Sequence, residues 1–367
     1  MTEYIDLSEF KRDMSFYNEL NLLISIKSFD LQAIRNRYLS TKDKKSKRTG
    51  SFVRREVTEG GVAGIQIKNG EIVNQEVFLK VPEPRGIDIK NNVLAVSSEN
   101  RVYIIHENGT ELIQDPWFSF IHTIDIRGSK VLVSSSGYDA LFEYDYLTKE
   151  KTFDWFAWEH GFNYGLDPKT GEKLYLTRNV EESIQYKAEG KKHLLISDPE
   201  SQTLPTSQRA AFINSVVYDP NDENKIIATF FHEGGVYSID MKSGLTTKIL
   251  DGLKSPHGGK RLNNDYVATS TTGGSFVTGN LKNNKHYKFQ NIEGKNELLS
   301  DFEWIQNSVV KGNLVVSIDS NRNCFIIFDT EKKLIDMVPF DENFAIQDLV
   351  FGSLNSAQKE KLKSIKE

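Results

Sequence analysis

Phe120-Ile121-His122-Thr123-Ile124-Asp125-Ile126 leads into Lys130-Val131-Leu132-Val133-Ser134. A Ser136-Gly137-Tyr138-Asp139 turn follows, then Ala140-Leu141-Phe142-Glu143-Tyr144-Asp145. Short apolar runs between turn signals read as three successive strands, not as a helix. The pattern recurs. First strands begin at Pro84-Arg85-Gly86-Ile87, Ile121-His122-Thr123-Ile124, Ile213-Asn214-Ser215-Val216, Pro256-His257-Gly258-Gly259, Ile305-Gln306-Asn307-Ser308 and Ile346-Gln347-Asp348-Leu349. Third strands are the most alike, as in Gly235-Val236-Tyr237-Ser238-Ile239-Asp240 and Cys324-Phe325-Ile326-Ile327-Phe328-Asp329. Units of four short antiparallel strands repeating every ~40–50 residues are the signature of propeller blades.

A further first strand is expected near Phe162-Asn163. Gly165-Leu166-Asp167-Pro168 through Lys173-Leu174-Tyr175-Leu176-Thr177 parallels Val217-Tyr218-Asp219-Pro220 through Lys225-Ile226-Ile227-Ala228-Thr229, with a longer excursion over 178–209. The sequence thus predicts an all-β fold, a seven-bladed propeller, with six blades as the alternative if 156–210 is an insertion. The segment 344–352 has no room after it for a whole blade. It is expected to supply the inner strand of the blade whose outer strands lie in 51–80, which removes open sheet edges.

Outside the propeller (51–353), residues 1–40 read as a helical extension. Phe10, Met14 and Tyr17 fall at helical spacing after Ser8, and Leu31, Ile34 and Tyr38 share a face. Either it packs on the main domain or it offers a surface to a protein partner. Residues 41–50, Thr41-Lys42-Asp43-Lys44-Lys45-Ser46-Lys47-Arg48-Thr49-Gly50, read as a solvated basic linker, and 354–367 as a polar helical tail.

The 367 residues carry a net charge of −5, which argues against a dedicated nucleic-acid binder. Cys324 is the single cysteine, which excludes an internal disulfide and a cysteine-based zinc site. With no apolar leader and no run of the ~20 apolar residues that span a bilayer, the expectation is a cytoplasmic protein without a membrane partner.

In a propeller the first strand of each blade lines the axis. The polar residue opening each one then faces one mouth of the channel: Arg85, His122, Asn163, Asn214, His257, Gln306 and Gln347, with Asn307 and Asp348 adjacent. Buried polar groups need partners, so such a ring must hold water, an ion, a ligand or itself. Trp117, Trp155, Trp158 and Trp304 all precede first strands and are expected at the same face, where aromatic walls suit a small-molecule site or pack between blades. His122 and His257, on blades three apart in this count, are expected to face each other as acid and base or as metal ligands. His232 and Glu233 are placed to join them from a loop. Arg85, Gln306, Gln347, Trp117, Trp158 and Trp304 are the candidates for substrate contact. Asn214, Asn307 and Asp348, with the two histidines, are the candidate ligands of one divalent metal ion, calcium or a transition metal. No Gly-Lys-Ser/Thr loop, His-Glu-x-x-His or Gly-x-Ser-x-Gly occurs.

The segment from Asn214-Ser215-Val216 to Asp240 resembles blades of the calcium-dependent SMP-30/gluconolactonase and paraoxonase-like propellers. The Ile239-Asp240 ending resembles YVTN- and NHL-type repeats. Those enzymes hold their metal with inner-strand Asn, Asp and Glu. The resemblance implies Asn214 and Asn307 as matching ligands, while the Glu has no counterpart here. The histidine pair resembles propeller lyases such as virginiamycin B lyase. The expectation is an enzyme of lyase, hydrolase or isomerase type acting on a small polar or anionic substrate at the mouth. A non-catalytic scaffold or ligand-binding propeller is the alternative, and nucleic-acid binding through the basic linker is a weaker third.

Overall fold

The computed structural model describes residues 1–42, 50–54, 56–167 and 169–366; most of the expected basic linker, 43–49, lies outside them. The chain folds into an all-β, propeller-like arrangement of antiparallel sheets with few helices. Strands of residues 87–114, 121–156 and 213–250 form one four-stranded sheet each. Those of 256–288 and 305–339 gain a fifth strand, from Thr2–Asp6 and Lys11–Arg12 respectively. Second and third strands are apolar almost throughout because both of their faces are covered: Phe325, Ile326, Ile327 and Phe328 are all fully buried.

Each sheet is tied to the next by side chains that reach across at the first strands. Ile126 N donates to Asp88 Oδ2 (2.9 Å) and Val216 N to Thr123 Oγ1 (2.8 Å). Gly259 N donates to Thr229 Oγ1 (2.8 Å), Thr269 Oγ1 to Ser308 Oγ (2.9 Å) and Asn307 Nδ2 to Asp348 Oδ1 (2.7 Å). Ser25 Oγ, on the strand beside Ala345–Phe351, donates to Arg85 O. The sheet beginning at Ile121 therefore meets the sheet beginning at Ile213 directly. The strand expected near Asn163 does not lie between them. Residues 164–195 instead form a separate three-stranded sheet whose last pair is parallel. A parallel pair needs a crossover, and the helix Val180–Ala188, capped by Asn179, supplies it. The Asp-Pro match recorded a similar hairpin; it did not record a place on the axis.

The N-terminus corrects the helical expectation. Only Leu31–Lys42 is α-helical. Phe10 and Tyr17 are buried because the chain runs as a strap across sheet edges, with Tyr17 Oη donating to Asp336. Leu22-Leu23-Ile24-Ser25-Ile26, an apolar and β-branched run, lies within the strand Glu19–Ser28. That strand pairs antiparallel with Ala345–Phe351 (Leu349 opposite Ile24), and Glu59–Lys68 and Glu71–Pro82 complete the sheet. So the last strand does join strands from early in the chain, but its direct neighbour is 19–28, and residues 52–54, 56 and 57 are not in a strand. The tail helix Ser356–Ser364 carries a capping box of Asn355 and Gln358 and buries Leu362.

Candidate functional site at the axial mouth

Backbone irregularity aims the polar residues inward. The register between first and second strands slips at Ile121/Ile124, Ile213/Ser215, His257/Lys260, Ile305/Ser308 and Ile346/Asp348. Such bulges re-aim side chains and free backbone N–H groups. The residue two positions before the polar one is left-handed in four cases: Glu83 (φ 41°), Phe120 (48°), Phe212 (49°) and Ser255 (51°). For bulky residues this conformation stores about 1 kcal/mol or more each, and such strain clusters at functional sites. Asp139 holds the turn at Phe212 by accepting from the backbone N–H groups of Ala210 (2.7 Å) and Phe212 (2.5 Å). Gly258 (φ +64°) is required where it stands, since a Cβ there would lie 2.0 Å from Asn307 Oδ1.

Arg85, His122, Asn214, His257, Gln306 and Gln347 are all buried. The rings of His122 and His257 lie 5.6 Å apart, so the two do face each other. With the Asn163 segment outside the series, a single sheet, that of Asn214, separates theirs. His257 Nδ1 is 2.7 Å from Thr271 Oγ1 and 3.2 Å from Ser255 O, while Gln306 Nε2 approaches Nε2 at 3.4 Å. Trp304 Nε1 donates to Gln306 Oε1 (3.0 Å). Lys27, buried on the Glu19–Ser28 strand, donates to Gln347 Oε1 (3.1 Å). Burial, reinforced by the Lys27 charge, pulls the His257 pKa down to about 3. The imidazole is neutral at physiological pH, with the hydrogen-bond network assigning its proton to Nδ1.

Above the ring lies a small cleft open to solvent. Arg54, Arg85 and Arg209 line it with Phe120, Phe212 and Thr206. Arg85 lies over Phe120 (5.5 Å), and Arg209 over both Phe120 (5.1 Å) and Phe212 (4.8 Å). Arg85 Nη2 donates to buried Glu83 (2.8 Å). The cleft is closed on one side by two segments outside the repeats: Ser207 N and Oγ both bond Ser51 O, at 3.2 and 2.8 Å.

Other candidates lie apart from this cleft. Trp117 and Trp158 pack with Tyr138, Phe156 and Asp139 in the core beside the insertion, as does Trp155 with His160; of the four tryptophans, only Trp304 is bonded to a ring residue. These three are thus core residues and not walls of the mouth, because the insertion covers the blade edge they occupy. His232 Nε2 is 2.9 Å from Thr206 O, and Glu233 is exposed on a neighbouring groove. Asn163 Nδ2 donates to Tyr186 Oη (3.1 Å) within the insertion. The five candidate metal ligands do not form one donor set: Asn307 and Asp348 bond each other, and Asn214 Nδ2 is held by Pro256 O (2.8 Å). Among the described residues no group of three or more His, Cys, Asp or Glu is arranged for a metal ion.

Sequence reading missed Lys27, Arg209, Phe212 and the charges farther down the axis. Lys27 was legible in principle as the polar end of an apolar strand run. Arg209 lies in the 178–209 excursion, which follows no repeat.

No family model and no curated protein matches the chain. Solved structures do resemble it. A chain of the nidogen/laminin complex is similar over 90% of this chain and 97% of its own, with a TM-score of 0.53 at 9% identity. A protein of unknown function from Bacteroides caccae gives 0.47 at 13% identity over 90% and 98% of the two chains. Virginiamycin B lyase from Staphylococcus aureus gives 0.39 at 10% identity over 70% and 84%. The last two likenesses are too loose to carry an argument. The first, at that identity, shows a fold and nothing more: that of a β-propeller.

Proposed function

We propose that this chain is a six-bladed propeller with 157–211 as an insertion, and that its axial mouth binds a small anionic molecule. One observation carries the reading. Five bulged first strands bring His122, Asn214, His257, Gln306 and Gln347 to one buried tier with Arg85, under a cleft lined by three arginines and two phenylalanines. Lys27 adds a further buried cation beside that tier. Guanidinium groups pair with carboxylate or phosphate oxygens.

The reading commits to binding ahead of turnover. An acid–base catalyst works best with a pKa near the working pH. His257 is far below it, and its Nδ1 is already engaged by Thr271. Lyase, hydrolase or isomerase chemistry would fall to His122 with His257 only as a hydrogen-bond partner. Supporting a metal would require the mouth to rearrange, so treatment with a chelator is expected to leave anion binding unchanged.

The test is a thermal-melting series with succinate, inorganic phosphate and neutral glycerol. Anions should raise the midpoint in a saturable way, as any ligand of the native state alone does, and glycerol at the same concentrations should not. Equal responses to all three, or none, would sink the reading.

A further inference from the structure

Two buried polar atoms of the mouth tier have no hydrogen-bond partner: Arg85 Nε and Asn214 Oδ1. Neither side chain is loose. Arg85 is fixed by Nη2 donating to Glu83, and Asn214 by Nδ2 donating to Pro256 O. Each therefore presents its remaining atom in a set orientation. Asn214 stands on the strand between those of His122 and His257, and is fully buried. Buried polar atoms without partners are uncommon in native proteins; others, such as Arg35 Nε and Asn284 Oδ1, are scattered through this chain, but these two share one ring. The two are complementary in kind. Arg85 Nε is a charged donor suited to an anion, whereas Asn214 Oδ1 is a neutral acceptor that needs an O–H or N–H.

We propose that the ligand of the mouth is a small hydroxy acid: Arg85 Nε donates to its anionic group, and its hydroxyl donates to Asn214 Oδ1. This rests on the anion-binding reading above. A hydroxyl fits better than an ammonium group because Lys27, Arg54, Arg85 and Arg209 outnumber the carboxylates of Glu83, Glu99 and Asp139 that meet them. Neutral His257 adds an uncharged neighbour to the same tier. A site built to pair with a hydroxyl discriminates against the analogue that lacks it, because the acceptor is then left buried and unpaired.

The experiment compares Kd values for malate and succinate, and for lactate and propionate, on the full chain by calorimetric titration. The hydroxy acid of each pair should bind at least ~10-fold more tightly. In Asn214→Leu the ratio within each pair should fall toward one. Should that variant not fold, the wild-type ratios decide alone. If both members of a pair bind equally to wild type, Asn214 Oδ1 is satisfied by water and the hydroxyl assignment is wrong, while the anion site stands. If neither member binds, the anion site itself is wrong.

Discussion

The two ends of the axis are built from similar material and differ in how it is satisfied. The far end gathers Asp88, Asp125 and Asp348 with Lys90 and Lys260. Asp88 accepts from Ile126 N (2.9 Å), Asp125 from Tyr218 N (2.8 Å) and Asp348 from Leu349 N (2.9 Å). Lys90 bonds Asp125 and lies 3.3 Å from Asp88. Lys260 sits among these carboxylates, its pKa lowered chiefly by burial. Carboxylates and ammonium groups there offset one another and stitch neighbouring strands together. At the mouth the groups are mainly amides and imidazoles below a cluster of arginines, and two of their atoms are left without partners. Burial of polar groups is thus closed on itself at the far end and left incomplete at the mouth. That difference, more than the presence of polar residues, is what the proposed anion site rests on.

Breaking the far end should cost stability and spare binding. Asp125→Ala strands the Tyr218 N–H and removes a partner of Lys90. A loss of about 2–3 kcal/mol is expected in urea unfolding, with succinate affinity retained. A variant as stable as wild type would show that the far end is not structural. Breaking the mouth should cost binding. For Arg85→Gln we expect succinate to bind at least ~10-fold more weakly, the worth of one charge-assisted hydrogen bond. The melting point should fall as well, because buried Glu83 loses its cation.

The ends should also differ in their response to pH. Burial pushes the Asp348 pKa up to about 7 from 3.8, against the donors Leu349 N and Asn307. Between those values the native state holds a proton that the unfolded chain has released. Asp348 therefore makes stability fall as pH rises from about 4 to 7. His257 works in the opposite sense. Its native pKa of about 3 lies below the ordinary 6.5, so its contribution is present above 6.5 and is lost as pH falls toward 3. Urea midpoints across this range should lose part of the first slope in Asp348→Asn, the rest coming from Asp125, which burial also pushes up to about 7, and the second in His257→Gln. The smallest effect is expected at exposed Glu233, where Glu233→Gln should change stability and binding by less than ~0.5 kcal/mol. A clear loss of binding there would move the site to the neighbouring groove.

Much of this contrast was legible in the sequence. His122, His257, Asn214, Gln306 and Gln347 stood out because each is a polar residue at one repeated place in an apolar strand, and burial at one tier follows from the repeat. The Asn163 copy misled because hairpin chemistry is local, whereas a place on the axis is decided by which sheets touch. The N-terminal strand misled in the same way. Phe10, Met14 and Tyr17 match a helical period by spacing alone, and only pairing with residues 345–351, far off in sequence, makes 19–28 a strand. The tryptophans were read from their place before first strands, but the insertion that buries Trp158 has no repeat to announce it. Which polar atoms lack a partner is a matter of side-chain orientation, and no sequence pattern records that.

The most direct test of the account is the ratio of succinate dissociation constants for Arg85→Gln and wild type, measured by calorimetric titration near neutral pH. The account predicts saturable binding to wild type and a ratio of ~10 or more, from variants that both melt cooperatively. No heat of binding with wild type, or a ratio near one, would contradict it.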